Sequence, residues 1–388
     1  MKYSAMKTQG LPKRLGVIEA IGLGIGAMIG GTIYAGSGIA MRITEGAADV
    51  AFLLAAMVAS LAAYSYAKLC TILPDSGGSY SIVNGILGEK AGLLICLCQL
   101  LAYITASSFY AYMAAEYVEL FVNLDKILIA LILLLIITLL NLCGAKESGL
   151  VELIISSVKI LVLVVIIAKA SQLITPSLPQ VKTSPLRLLE AASLLFLGFE
   201  GFEVIASASG ELVNPERDAK LAIFASLTIV SLIYIFIAIL SRSMSAYNEY
   251  TLLAALGERA LGSAGVMSVT ASAVLSAFTA LNANMFVVSR LLYALGRDGV
   301  IPSIFSVTGR RGIPILAIIT SAILSGLLII FGSLRLLLGL ANLMFFVIFI
   351  AVSIAAFEAG FRSVPLLAII TLSIFALFSL RNVVFLPH

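Results

Sequence analysis

Long apolar blocks separated by short polar stretches run along nearly the whole chain. A window of about 19 residues, the usual test for a membrane-crossing helix, picks out segments near 17–41, 49–73, 91–120, 127–143, 150–170, 188–209, 219–241, 262–294, 313–332, 337–357 and 364–380. Because roughly 20 apolar residues of helix cover a bilayer core, the pattern predicts an all-α polytopic membrane protein with about 11 transmembrane helices. An odd number of crossings puts the two ends on opposite sides. Lys and Arg, among them Lys13, Arg14, Lys90, Lys146, Arg217, Arg310, Arg311 and Arg362, favour the side of the N-terminus. The reading is a multi-pass protein of the cell membrane with residues 1–16 in the cytoplasm. Lys2, Lys7, Lys13 and Arg14 lead directly into the first span with no cleavage site, so no signal peptide is read there.

Composition agrees and removes other classes. Of 388 residues, 61% are hydrophobic and 11% charged, with a mean hydropathy of +1.13, whereas soluble domains carry about 25% charged residues. The net charge of +4 is small and dispersed, which argues against nucleic-acid binding. The single histidine is His388, and Cys70, Cys96, Cys98 and Cys143 have no partner at zinc spacing, so neither metal nor cofactor is expected. Ser156 and Ser157 lie near Lys159, but no oxyanion site accompanies them and no Walker loop exists, so an enzyme is not expected either.

The segments differ in character. Residues 127–140 are almost pure Leu, Ile and Ala, as a lipid-facing helix should be. The first span instead holds GLGIGAMIGGTIYAGSG, a glycine density that weakens a helix by up to about 1 kcal/mol per position. The sixth holds FLGFEGFE, with Glu200 and Glu203 in an apolar run. A carboxylate at that depth must face a partner or a wet cavity. Spans one and six are corresponding members of two five-span halves, 17–170 and 188–357, followed by an additional C-terminal helix in 364–388. Glycine-interrupted helices at matching places in two halves point to a midplane binding site. Lys159 stands about midway along span five with apolar residues on both sides. Such a buried lysine has the adjustable charge state that proton coupling needs.

Four motifs carry a resemblance, in order: GIGAMIGGTIY; PDSGGSY, from Pro74 to Tyr80; FLGFEGFE with the following GELVNPERDAKLAI, which ends at Ile223; and SRLLYALGRDGVIP, from Ser289 to Pro302. Over residues 14–380 the chain resembles the amino acid, polyamine and organocation (APC) transporters. The resemblance implies an inverted-repeat (5+5) fold like that of the leucine transporters, with helices 1 and 6 unwound at the midplane. It also implies a secondary active transporter working by alternating access, with a small amino acid as substrate and the lipid bilayer as surroundings. Nothing in the motifs sets an oligomeric state.

The same resemblance implies the site. The amides of Gly31 and Thr32 would take a substrate carboxylate, and the carbonyls of Met28, Ile29, Leu197 and Glu200 its ammonium. Lys159 would stand in for a sodium ion against the carbonyls near Gly26 and Ala27, so the proton is the coupling ion and sodium is not expected. Ser272 and Ser276 are the nearest hydroxyls of span eight, and Glu203 aligns with a proton-sensitive acid. Leu197 falls at an aromatic gate position whose work Phe199 would do, while Ala280 and Asn284 would line the side-chain pocket. That lining favours a neutral substrate, with Glu200 the nearby charge that would reverse the preference. A transporter or exchanger of cationic amino acids, polyamines or other organocations is the alternative, as is a transport-inactive nutrient sensor. Two departures stand out: Lys68 replaces an expected Glu before the loop after span two, and no twelfth helix is read.

Overall fold

The computed structural model describes residues 15–73, 78–143, 149–172, 182–244, 247–309 and 313–384. Of the residues singled out above, Lys2, Lys7, Lys13, Arg14, Pro74, Asp75, Ser76, Gly77, Lys146, Arg310, Arg311 and His388 lie outside them.

Each apolar block falls on helix. The first is α1 (Val17–Met28), a π-helical turn (Thr32–Gly36) and α2 (Ser37–Ile43); α3 (Ala48–Ile72) and α4 (Ser79–Leu87) follow. Next come α5 (Glu89–Val118), α6 (Lys126–Leu142) and α7 (Gly149–Ser171). The block near 188–209 is α8 (Pro185–Leu195), a 3-10 turn (Phe196–Phe199) and α9 (Phe202–Ser207). The rest are α10 (Pro215–Ser241), α11 (Leu252–Leu261), α12 (Ser263–Arg297), α13 (Ile315–Phe331), α14 (Leu334–Glu358) and α15 (Ser363–Val384). Among the described residues seven helices are long and apolar enough to cross a membrane. The pair Val17–Met28 and Thr32–Ile43, bent by 48°, makes an eighth, and α6 and α13 are shorter apolar helices.

Local chemistry sets the helix starts. Asp125 caps α6, its carboxylate accepting from the amides of Ile127 and Leu128. Ser184 caps α8 ahead of Pro185, Pro215 opens α10, and Ser333 caps α14. Gly88, at φ +93°, turns the chain between α4 and α5 in a conformation that favours glycine.

Packing brings the two interrupted segments side by side and antiparallel: α1 lies on α9, and α2 on α8. A methyl group at Gly201 would stand 2.5 Å from the Met28 amide nitrogen, so only glycine lets the two backbones come this close. Ahead of α1, Leu15 exchanges two backbone hydrogen bonds with Glu211 and Val213, docking the start of the described chain onto the turn after α9. Further out α3 packs on α10, and α5 on α12 and α14. Polar bonds also cross between helices. Asn141 donates to Asn282 at 2.7 Å, Asn342 to the Leu194 carbonyl at 3.0 Å, and Arg242 clasps Asp49 through both carboxylate oxygens. Such bonds average about 0.6 kcal/mol in membrane proteins.

An aromatic cluster ties the 3-10 turn after α8 to the C-terminal helices: the Phe196 ring meets Phe346, Phe349 and Phe375 at centroid distances of 4.8, 5.8 and 6.2 Å. Lys68, the departure noted above, lies 5.6 and 5.4 Å from the ring centres of Tyr64 and Phe361, where aromatic faces receive its charge. The exterior of the helices is apolar, with Leu161, Phe331 and Leu377 more than half exposed, as a bilayer-facing surface requires.

Candidate functional site

Both interruptions are places where small residues and close contacts displace regular helix. α1 ends at Met28, the chain passes through Ile29 and Gly30, and helix resumes at Gly31. A resuming helix has amides with no partner of its own, here those around Gly31 and Thr32. The facing segment leaves α8 for the 3-10 turn and resumes as α9.

Three side chains from other helices hold the first break. Lys159 of α7, 2% exposed, donates to the carbonyl of Gly26 at 3.2 Å and to that of Ile29 at 3.1 Å. Ser276 of α12 donates to the same Ile29 carbonyl at 3.0 Å. Tyr234 of α10 donates to the Met28 carbonyl at 2.7 Å and stands 3.3 Å from that of Gly198, touching both interrupted segments with one hydroxyl. Deeper in, the Tyr34 and Ser272 hydroxyls are 2.6 Å apart, and Tyr117 donates to the Tyr34 carbonyl.

Beside the break lies a cavity of about 150 Å³ between α1, α5, α7, α9 and α12. Its lining takes in Gly26, Ile29, Gly30, Lys159, Glu200, Glu203, Ser276, Ala280 and Asn284, with Tyr103 and Tyr110 of α5. Val204, also in the lining, is 36% exposed. Tyr103 donates to one Glu203 oxygen at 2.9 Å. The other Glu203 oxygen, Glu200 Oε1 and Asn284 Nδ2 are buried with no hydrogen-bond partner. The cavity wall thus offers acceptors and one donor unmatched within the protein, the polar equipment of a binding pocket.

Lys159, Ile29, Glu200, Glu203 and Asn284 therefore converge on one cavity. Met28, Gly31, Thr32, Leu197 and Phe199 are buried just outside its lining. Phe199 packs edge-on to Phe52 and against Tyr234. A methyl placed on Gly31 would meet Tyr110 and Phe109, so these rings cover the break there. The Met28 and Ile29 carbonyls already accept hydrogen bonds from Tyr234, Lys159 and Ser276. Sequence reading passed over Tyr103, Tyr110 and Tyr234. For the first two a signal exists: seven-residue spacing puts them on one face of α5.

Comparison with known proteins gives a consistent result. The family model described as amino acid permease matches residues 15–387. An uncharacterised protein of Methanocaldococcus jannaschii is 29% identical over 76% of this chain and 71% of its own. Branched-chain amino acid permease BcaP of Lactococcus lactis is 28% identical over 79% and 73% respectively. Cationic amino acid transporter 9, chloroplastic, of Arabidopsis thaliana is 29% identical over 76% of this chain, and the chain spans 57% of that relative. The relatives with assigned roles are named as a permease and a transporter, not as enzymes. With a match that starts at the first described residue and takes in every helix above, this multi-pass membrane protein belongs to the amino acid permease family.

Proposed function

We propose that the chain is a secondary active transporter that moves a small amino acid across the cell membrane by alternating access, with proton coupling and without sodium. The single observation that carries this reading is the Lys159 ammonium on the Gly26 and Ile29 carbonyls at the break in the first segment. A fixed cation there fulfils the electrostatic task of a bound metal ion: it neutralises carbonyl dipoles at a helix end. Unlike a metal ion it can lose its charge by giving up a proton, which frees the carbonyls and with them α1. In the inverted-repeat arrangement, the bundle of spans one, two, six and seven, which are α1 to α3 and α8 to α10, then moves against the rest. Glu203, held by Tyr103, is the second proton-handling group.

Substrate binds where the interrupted segments face each other. Its carboxylate meets the amides at Gly31 and Thr32 once the Tyr110 and Phe109 rings move aside, and its body fills the space lined by Ala280 and Asn284. Because the Met28 and Ile29 carbonyls are engaged, its ammonium shares them or turns to the Glu200 side. The uncharged remainder of the lining supports a neutral substrate. A second reading, a cationic amino acid or related organocation, is favoured by the unpartnered Glu200 carboxylate inside the cavity. The relatives include a permease named for branched-chain substrates and a transporter named for cationic ones.

The test is uptake of a panel of radiolabelled amino acids into proteoliposomes under an imposed proton or sodium gradient. Accumulation driven by protons with sodium absent supports the reading. A sodium requirement removes the coupling mechanism. Binding without any uptake points instead to a nutrient sensor on the same scaffold.

A further inference from the structure

A groove of about 620 Å³ runs down the outer face of α10, lined by Lys220, Leu221, Phe224, Ala225, Thr228 and Ile229. These positions follow the four-residue step that keeps side chains on one face of a helix. Small Ala225 lies among the larger Leu221, Phe224 and Ile229, which gives the stripe its hollow. Leu221, Thr228 and Ile229 are exposed, so no other part of the described chain covers the groove.

The two ends differ in chemistry. The Thr228 hydroxyl donates to the Phe224 carbonyl at 2.8 Å and is satisfied within its own helix. Beyond Lys220 the wall therefore holds no polar side chain in need of a partner. Lys220 is exposed, as is Arg217 three residues before it, and neither forms an ion pair among the described residues. Asp218, which lies between them in sequence, turns its carboxylate to the Asn214 amide instead. The result is an apolar groove with two unmatched cations at one end.

Length sets the depth. α10 has 27 residues, about 40 Å at 1.5 Å per residue, against about 30 Å of hydrocarbon. A centred helix thus projects about 5 Å at each end, and Lys220 leaves the backbone about 8 Å from the start of α10. That is just inside the hydrocarbon edge, where a lysine stem lies along apolar surface and its ammonium reaches back to the headgroups. From Lys220 to Ile229 the groove descends about 14 Å, close to the depth of one leaflet.

We propose that this groove binds an anionic phospholipid, with Lys220 and Arg217 on its phosphate and one acyl chain along Leu221, Phe224, Ala225 and Ile229. A small soluble anion would leave the apolar length unused, and a neutral sterol would leave the two cations unmatched. A zwitterionic lipid brings its own cation to its phosphate and gains less from the pair. The site needs only a bilayer around α10 and does not depend on the transport reading.

The chain contains no tryptophan, so Phe224→Trp places a single indole in the groove. Its quenching by brominated phosphatidylglycerol is compared with that by brominated phosphatidylcholine, each mixed with the other lipid unbrominated, and the two curves give a relative affinity. The expected preference at low salt is about fivefold for phosphatidylglycerol. It falls to near one when Arg217→Gln and Lys220→Gln are added, and it shrinks as salt is raised. Ile323→Trp is the reference, on the exposed face of α13, a helix without a charged residue, and shows no preference. A ratio near one at position 224, or one that the two glutamines leave unchanged, overturns the site. An equal preference at positions 224 and 323 also overturns it, because it reports the charge of the whole surface. Should the double substitution fail to fold, the salt series on Phe224→Trp and Ile323→Trp decides, with Leu221→Trp as a second probe of the groove.

Discussion

Lys159 reaches across from α7 to place its ammonium nitrogen 3.1 Å from the carbonyl oxygen of Ile29, the residue at which the first segment stops being helix. One long side chain thus fixes a backbone break on a neighbouring helix. In Lys159→Ala, gradient-driven accumulation of substrate is expected to fall at least tenfold, with exchange of substrate for substrate kept in part. Accumulation ratios under an imposed proton gradient decide this, and a variant that concentrates substrate as well as wild type shows the lysine to be structural.

The Tyr234 hydroxyl bridges the Met28 and Gly198 carbonyls, while its ring packs on Phe52 and Phe199. Tyr234→Phe keeps the ring and removes the bridge. One buried hydrogen bond contributes about 1 kcal/mol, so the melting temperature should drop by a few degrees. Transport rate should fall several-fold with a smaller change in KM. A normal rate in the variant would mean that the two interrupted segments do not need a shared donor.

Two glycines make a controlled pair. A methyl at Gly201 runs into the backbone of Ala27 and Met28, which cannot swing aside, whereas one at Gly85 in α4 meets nothing within 4 Å. Gly201→Ala should therefore give little folded protein or none that transports. Gly85→Ala should be as active as wild type and more stable by about 0.4–1 kcal/mol. Size-exclusion profiles and thermal melts in detergent read both. Full activity in Gly201→Ala would contradict the close approach of α9 to α1.

Glu200→Gln preserves shape and removes charge. If the carboxylate selects cations, L-lysine should lose its ability to compete for uptake while L-leucine gains. Equal competition profiles in wild type and variant would leave the neutral reading in place and assign Glu200 no part in selection.

The interruptions were legible because they break a strong local rule: glycine and glutamate do not belong in an apolar helix without a reason. Lys159 was legible on the same ground. The orientation of Leu197 and Phe199 was not, since side chains in a 3-10 turn depart from the 3.6-residue period that assigns faces elsewhere. Phe199 accordingly packs on Phe52 and Tyr234 instead of lining the cavity. Tyr234 gave no signal because a lone tyrosine in an apolar helix reads as core. A second cavity, lined by Arg42, Arg187, Arg335, Glu45, Glu190 and Glu249, was invisible for a different reason: these residues are far apart in sequence, and only the fold brings them to one end.

The Phe196 cluster also offers a spectroscopic window. The chain contains no tryptophan, so a single indole introduced at position 375, where the α15 ring meets Phe196 beside the interruption, would emit against a dark background. Any rearrangement of the 3-10 turn after α8 would then be recorded as a change in colour or intensity from a helix outside the lining of the cavity beside the first break.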